Sequence, residues 1–365
     1  MNKSWPVKLE VDSSCILHNM QQIKNHVGEN VDIMPVIKDE GYKSGINNKI
    51  DIYKMCDIKI VGVAIVDEAV HLREQGYTDE IFVLNQIYKE DIENVKKYNV
   101  TIGVGDVKFL KELGSHTEYN FKIHIEIDTG MGRTGVRIEA LKEYISELKK
   151  YSNITVEGIY THFSCSDTDD EFTKLQISKF NTAIDICKSH EIEFKYIHAC
   201  NSAGVISYPE AHYNLVRPGI ILYGYYPDET LRGKLDLKPA LKLKSKISYI
   251  KTVPSKTTIS YGKRYITDRN SVIATVQLGY ADGLRRSMTN KGKVVINGKV
   301  APMVGTICMD CFMADVTEIK DVKVGDTVYI WDNENVTVED LADIYGTINY
   351  EVISTISDRV VREYI

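Results

Sequence analysis

Apolar residues in the first two-thirds of the chain fall into eight short runs rich in valine and isoleucine: 31–37, 58–66, 80–84, 100–104, 121–127, 154–160, 194–198 and 213–216. Most are continuous rather than alternating, the pattern of parallel strands covered on both faces. Segments of helical period lie between them, at 67–75, 91–97, 139–149 and 171–189. Eight strand–helix units predict a (β/α)8 barrel. A further helix is expected from Ser14 to about Val27, with Asp12, Ser13 and Ser14 as capping candidates. The rhythm changes near Leu241. Residues 241–253, 257–259, 272–278, 293–296, 299–304 and 327–331 read as strands, Asn297-Gly298 as a two-residue hairpin turn, and 338–345 as a helix. The expected fold is α/β: a barrel over 1–240 followed by a mostly β domain over 241–365.

Composition narrows the class. The 365 residues are 43% hydrophobic and 26% charged, which is globular. No apolar run reaches the roughly 18–20 residues that span a bilayer. Met1-Asn2-Lys3-Ser4-Trp5 lacks the apolar core of a signal peptide. A net charge of −6 favours no nucleic-acid partner. Seven scattered cysteines point to a reducing, cytoplasmic compartment rather than a disulfide framework. Cys308 and Cys311 form one C-x-x-C, but no second pair completes a zinc site, so no metal is expected. The 23 tyrosines against 8 phenylalanines suit an AT-rich genome, an active site, or both.

Barrel enzymes work at the C-terminal ends of their strands. Lys38 ends the first strand and Tyr42 follows it; Asp128–Arg133 follows the fifth, His162 the sixth, Asn201–Gly204 the seventh and Arg217–Ile220 the eighth. The last two loops form the usual barrel phosphate site, here with Ser202 and the Gly219-Ile220 backbone. A lysine beside such a cradle suggests pyridoxal 5'-phosphate held as a Schiff base; the plain alternative is a solvated strand-end lysine. Other motifs fall short. Asp128-Thr129-Gly130 is a single copy where aspartic proteases need two carboxylates. Gly103-Val104-Gly105 lacks the third glycine of a dinucleotide loop, and no phosphate-binding G-x-x-x-x-G-K-[ST] is present.

Nine blocks, in order from about Trp5 to Arg362, resemble alanine racemase: residues 35–42, 128–135, 161–163, 198–204, 217–224, 260–262, 279–283, 304–310 and 347–351. The resemblance implies a barrel plus β domain, pyridoxal phosphate and a homodimer with shared sites. It assigns Lys38 as Schiff-base lysine and one base, and Tyr261, from the second subunit, as the base on the opposite face. Arg217 would face the pyridine nitrogen, supported by His162. Tyr42, Asn201, Ser202, Gly219, Ile220 and Tyr350 would hold the cofactor. Arg133 and the Met309 amide would take the substrate carboxylate, and Tyr280 would line the entrance.

Three positions depart from the family pattern. Glu126 stands where many members carry a carbamylated lysine, and is expected to supply the anion that orients Arg133. The loop after Lys38 reads Asp-Glu-Gly-Tyr-Lys-Ser-Gly instead of Ala-Asn-Ala-Tyr-Gly-His-Gly. The proline after Gly279–Gly283 is absent, with Leu284-Arg285-Arg286 in its place. The implied activity is interconversion of L- and D-alanine for peptidoglycan. The alternative is a serine, or serine and alanine, racemase of a vancomycin-resistance cluster, in which such chains are often fused to a membrane domain; Tyr350 favours alanine. More distant readings are a non-catalytic pyridoxal phosphate protein, which the β domain disfavours, and a related decarboxylase, which Arg217 disfavours.

Overall fold

A computed structural model describes residues 5–365, so the Met1–Ser4 stretch considered for a signal sequence lies outside the described residues. The chain forms two compact units. One comprises residues 15–41 and 46–238; the other takes residues 5–14, Tyr42–Gly45 and everything from Pro239. Residues 5–14 and Tyr42–Gly45, on the barrel side of the expected boundary at 240, therefore pack with the β-rich unit.

Strand β1 (Lys8–Val11) opens the described chain and belongs to the β-rich unit. The helix Ser13–Val27 follows, and Asp12 Oδ1 accepts from the Ser14 amide at 2.9 Å as its cap. The parallel strands come next: β2 (Asp32–Ile33), β3 (Ile60–Val63), β4 (Glu80–Val83), β5 (Thr101–Val104), β6 (Phe121–Asp128), the side strand β7 (Val136–Arg137), β8 (Ile154–Tyr160), β9 (Tyr196–His198) and β10 (Leu215–Val216). β3-β4-β5-β6-β8-β9 form one continuous sheet. β2 pairs with β10, a bridge joins Val36 to Gly62, and the Arg217 amide donates to the Cys200 carbonyl at 2.9 Å. These contacts carry the hydrogen bonding round all eight positions, so the barrel anticipated from the apolar runs is the observed fold. β2 and β10 are shorter than those runs because regular pairing gives way to single bridges near the mouth. Met34, Ile60, Phe82, Tyr160, Tyr196 and Leu215 pack together in the interior. The helix Val107–Ser115, with Leu110 and Leu113 buried, was not anticipated.

The β-rich unit contains β11 (Leu241–Val253), β12 (Thr258–Ile259), β13 (Tyr265–Ile266), β14 (Ser271–Val276), β15 (Lys293–Ile296), β16 (Lys299–Pro302), β17 (Phe312–Asp315), β18 (Thr327–Trp331) and β19 (Val361–Tyr364). Its main sheet runs β16-β15-β18-β11-β1-β19, with β14 bridging β11 and β17. β1 is thus an inner strand, antiparallel to β11 and parallel to β19. Lys244 pairs with Glu363 at 2.6 Å and also with Glu10, while Lys8 pairs with Glu363 across the same strands. The expected helix forms at Val338–Tyr345, with Thr337 capping the Asp340 amide at 3.1 Å.

Candidate active site

Lys38 leaves the barrel just past the Val36–Gly62 bridge that extends the line of β2. The Ile37 amide donates to the Gly62 carbonyl at 2.8 Å, so the strand is paired up to the residue before it. The chain then turns sharply: Asp39, Glu40, Gly41, Tyr42 and Lys43 all have φ between +53° and +62°. Four of these are not glycine, and each such residue costs about 1–2 kcal/mol in a left-handed helical conformation. Surrounding structure must hold the turn. The Gly41 amide donates to the Ile37 carbonyl at 2.8 Å, and the Asp39 amide donates to the Glu68 carboxylate. The Lys38 side chain reaches solvent in the barrel mouth yet is crowded by protein. Burial and then the Arg133 guanidinium lower its pKa, while Glu68 and Asp39 oppose them.

Arg217 follows β10 and is buried. Its Nη2 donates to the Thr161 and Ala199 carbonyls at 2.8 and 2.9 Å and meets His162 Nδ1 at 3.3 Å. Its Nη1 lies 2.8 Å from His198 Nδ1, and His198 Nε2 lies 2.8 Å from His124 Nδ1. Guanidinium can only donate, so the protons along this chain are determined. His198 accepts at Nδ1 and donates from Nε2; His124 accepts at Nδ1 and carries its proton on Nε2. That last N–H is buried without a partner. Both rings are neutral: burial drives His124 down to about 3 and His198 well below its usual range. Phe82 stacks on His124 at 4.4 Å and Tyr160 on His198 at 5.0 Å. Gly158 makes room, since a Cβ there would meet the His124 ring at 2.8 Å. Burial pulls Arg217 down to about 10, still cationic at neutral pH. His162, between Arg217 and the mouth, is held neutral by burial and by the cations Arg217, Arg133 and Lys38. The Gln176 amide grips the loop after β8, donating to the His162 carbonyl and Thr129 Oγ1 at 3.1 Å.

The loops after β9 and β10 meet as the sequence anticipates. Asn201 caps the short helix Ser202–Ser207 through the Gly204 amide at 3.0 Å, and the Gly219 amide donates to Ser202 Oγ at 2.8 Å. Ile220 begins the next helical turn and is buried. After β6, Asp128 Oδ1 accepts from the Gly130 and Gly132 amides at 3.0 Å, a turn-forming role rather than an acid–base one. This turn presents Arg133 to solvent. The expected pairing of Glu126 with Arg133 is not the hydrogen-bonded one. Glu126 Oε1 accepts from Thr134 Oγ1 at 2.7 Å, its other oxygen is buried without a hydrogen bond, and burial raises its pKa. Arg133 acts on it only as a nearby charge.

In the β-rich unit, Tyr261, Tyr280 and Met309 lie on three adjoining loops. Thr306 Oγ1 donates to the Tyr261 carbonyl at 2.7 Å; the Tyr280 and Ala281 amides donate to the Cys308 and Met309 carbonyls at 3.0 Å. Ser260, before Tyr261, has φ +63° and ψ −173°, a conformation that ordinarily only glycine adopts. Its hydroxyl compensates by donating to the Thr306 carbonyl at 2.6 Å. Buried Asp282 braces the Tyr280 turn: it accepts from the Gly279 amide at 2.9 Å, Trp5 Nε1 at 2.9 Å and Arg359 Nε at 2.6 Å. Tyr261, Tyr280 and Met309 are 71%, 43% and 54% exposed, so this unit leaves their side chains uncovered. Tyr42 and Tyr350 stand together, ring centroids 6.2 Å apart.

Comparison with known proteins fits this geometry. Residues 11–227 match the model of the alanine racemase N-terminal domain, and residues 240–364 that of the alanine racemase C-terminal domain. The chain belongs to the alanine racemase family. An alanine racemase of Halothermothrix orenii is 40% identical over 373 residues, covering 100% of this chain and 98% of that one. The alanine racemase structure from Clostridium difficile 630 superposes with a TM-score of 0.95 at 36% identity, covering 99% of this chain and 96% of that one. The alanine racemase of Bacillus anthracis, solved with bound L-Ala-P, superposes with a TM-score of 0.93 at 33% identity, covering 99% and 95%.

Membership in this isomerase family matches the resemblance drawn from the nine sequence blocks. Among the described residues, no group of His, Cys, Asp and Glu is placed to hold a metal ion, and no helix is long and apolar enough to cross a membrane. Cys308 and Cys311 are free thiols. Three residues of this alanine racemase fold escaped the sequence reading: Glu68, His124 and His198. Each had a local signal. The histidines interrupt apolar strands, and Glu68 occupies the third position of the helix Val66–Glu74.

Proposed function

We propose that this protein is a pyridoxal 5'-phosphate-dependent alanine racemase that uses Lys38 and Tyr261 as its two bases and works as a homodimer. The observation carrying the reading is the convergence, at one barrel mouth, of a lysine with a lowered pKa, the neutral His162 and the buried cation Arg217. This donor set fits a phosphorylated pyridine aldehyde: a primary amine for the aldehyde, a guanidinium for the ring nitrogen, and Ser202 Oγ with the Ile220 amide for the phosphate, which the Gly219 amide would join by turning from Ser202 Oγ. Asn201 shapes that loop, and Tyr42 and Tyr350 add phenol donors. When bound, the cofactor supplies an electron sink for charge left at the substrate α-carbon.

The chain's own groups divide the remaining work. Arg133 and the Met309 amide orient the substrate carboxylate, and Tyr280 flanks the entrance. Lys38 holds or takes a proton at Nζ, and its lowered pKa raises the fraction able to act as a base near neutral pH. Tyr261 Oη does the same on the opposite face, contributed by a second subunit; its exposure supports that placement. Arg217 cannot give up its proton at working pH, so it stays a donor and would hold the ring nitrogen as a hydrogen-bond acceptor. The product, D-alanine, serves peptidoglycan synthesis.

The test is spectroscopic and kinetic. Protein loaded with pyridoxal phosphate should show an imine absorbance band that Lys38→Ala abolishes. Tyr261→Phe should keep the band and lose most racemisation. A band that survives Lys38→Ala defeats the cofactor assignment, and near wild-type rates in both directions for Tyr261→Phe defeat the two-base scheme.

A further inference from the structure

Glu68 lies outside every motif that points to catalysis, yet its carboxylate sits at the joint between the first two barrel loops. Oε2 accepts from the Ala64 amide at 2.7 Å and more distantly from the Ile65 amide at 3.4 Å, closing the start of the helix Val66–Glu74. Oε1 reaches across to the Asp39 amide, the N–H immediately after Lys38. In a continued turn that amide would seek the carbonyl four residues back, but Pro35 already accepts from the Gly62 amide at 2.9 Å. The Ile37 carbonyl accepts from the Gly41 amide. One carboxylate therefore holds the left-handed turn from outside while standing near the lysine that the turn presents.

We infer that Glu68 is a positioning residue for Lys38: it fixes the peptide from which the lysine side chain departs and keeps a negative charge beside the amine. The role rests on the reading of Lys38 as a base. The charged and titratable groups that face Lys38 are Asp39, Arg133 and His162, from three loops, and Glu68, from the first turn of the helix Val66–Glu74. Arg133 favours the neutral amine and the two carboxylates favour the ammonium. Burial raises the Glu68 carboxyl pKa, and its three amide contacts counter that rise. A glutamine at 68 can keep the acceptor oxygen but not the charge; an alanine loses both.

The experiment is competitive labelling of the Lys38 amine with acetic anhydride across pH, read by mass spectrometry on the full-length protein without added cofactor. Wild type, Glu68→Gln and Glu68→Ala are compared, alongside kcat and KM of the cofactor-loaded enzymes. Glu68→Gln should move the Lys38 labelling midpoint to lower pH, and the acidic limb of the kcat/KM profile should move with it. Glu68→Ala should lower kcat on the order of 10–100-fold, the size expected when a reacting group is displaced, with Glu68→Asp recovering part of the loss. Circular dichroism melts identify a variant that fails to fold, and Glu68→Gln then carries the test alone. An unchanged labelling midpoint in folded Glu68→Gln overturns the inference. Full activity in Lys38→Ala would instead overturn the base assignment on which it rests.

Discussion

The histidine chain behind Arg217 makes a quantitative prediction about acid. His124 has a pKa of about 3 in the folded protein, against 6.5 for an ordinary histidine. A base whose folded pKa is depressed takes up its proton on unfolding, so between pH 6.5 and about 3 the unfolded chain binds more protons. Stability from this residue is complete above pH 6.5 and declines as pH falls. By pH 5 the loss is about 2 kcal/mol, since one pKa unit corresponds to about 1.4 kcal/mol. His198 acts in the same direction. Urea unfolding at pH 7.5 and 5.0 should therefore show a larger fall in stability for wild type than for His124→Asn. With slopes of about 2–3 kcal/mol/M, the difference is roughly 0.7–1 M in midpoint. Nitrogen NMR should find His124 neutral at pH 5 with its proton on Nε2. Equal falls in the two proteins, or a His124 ring titrating near 6.5, would refute the assigned proton pattern.

Three further outcomes follow from other contacts. Gly158→Ala forces a Cβ to within 2.8 Å of the His124 ring and should cost about 1–3 kcal/mol in urea unfolding; an unaffected protein would mean the ring shifts freely. Asp282→Asn weakens the charged bonds from half-exposed Arg359 to a buried carboxylate and should destabilise the β-rich unit by about 1.5–3 kcal/mol, read as a lower melting temperature; an unchanged melt would contradict the bracing role. Side-by-side kcat/KM for L-alanine and L-serine should favour alanine, and a preference for serine would reverse the substrate reading.

Much of the barrel was legible because its strands are covered on both faces and so spell continuous apolar runs. Once the strands were placed, their C-terminal ends pointed to Lys38, His162, Ser202 and Arg217 without reference to any relative. The chain was least legible where partners lie far apart in sequence. Leu9 and Val11 alternate with Lys8 and Glu10, yet a four-residue strand becomes evident only beside β11 and β19, whose paired residues lie far down the chain. Glu68 is another case: its helix-capping pattern is local, but the Asp39 amide it also binds is 29 residues upstream. His124 and His198 break apolar runs, which signals a buried polar pair, but their alignment with Arg217 arises only when the barrel closes. The left-handed course of the loop after Lys38 was only partly signalled: Asp39 and Gly41 tolerate positive φ, but Glu40, Tyr42 and Lys43 do not seek it.

The inner position of β1 has a consequence for biogenesis. A ribosome adding about 5–20 residues per second needs roughly 20–70 s to pass from Lys8 to Val361. Through that interval β1 lacks β19, its neighbour on one side, and until β11 emerges it lacks both. The barrel segment, 15–238, is complete long before then. The nascent chain therefore carries a waiting strand with two unsatisfied edges, a natural ligand for a chaperone that binds extended peptide, and the β-rich sheet is completed only when its final strand is added.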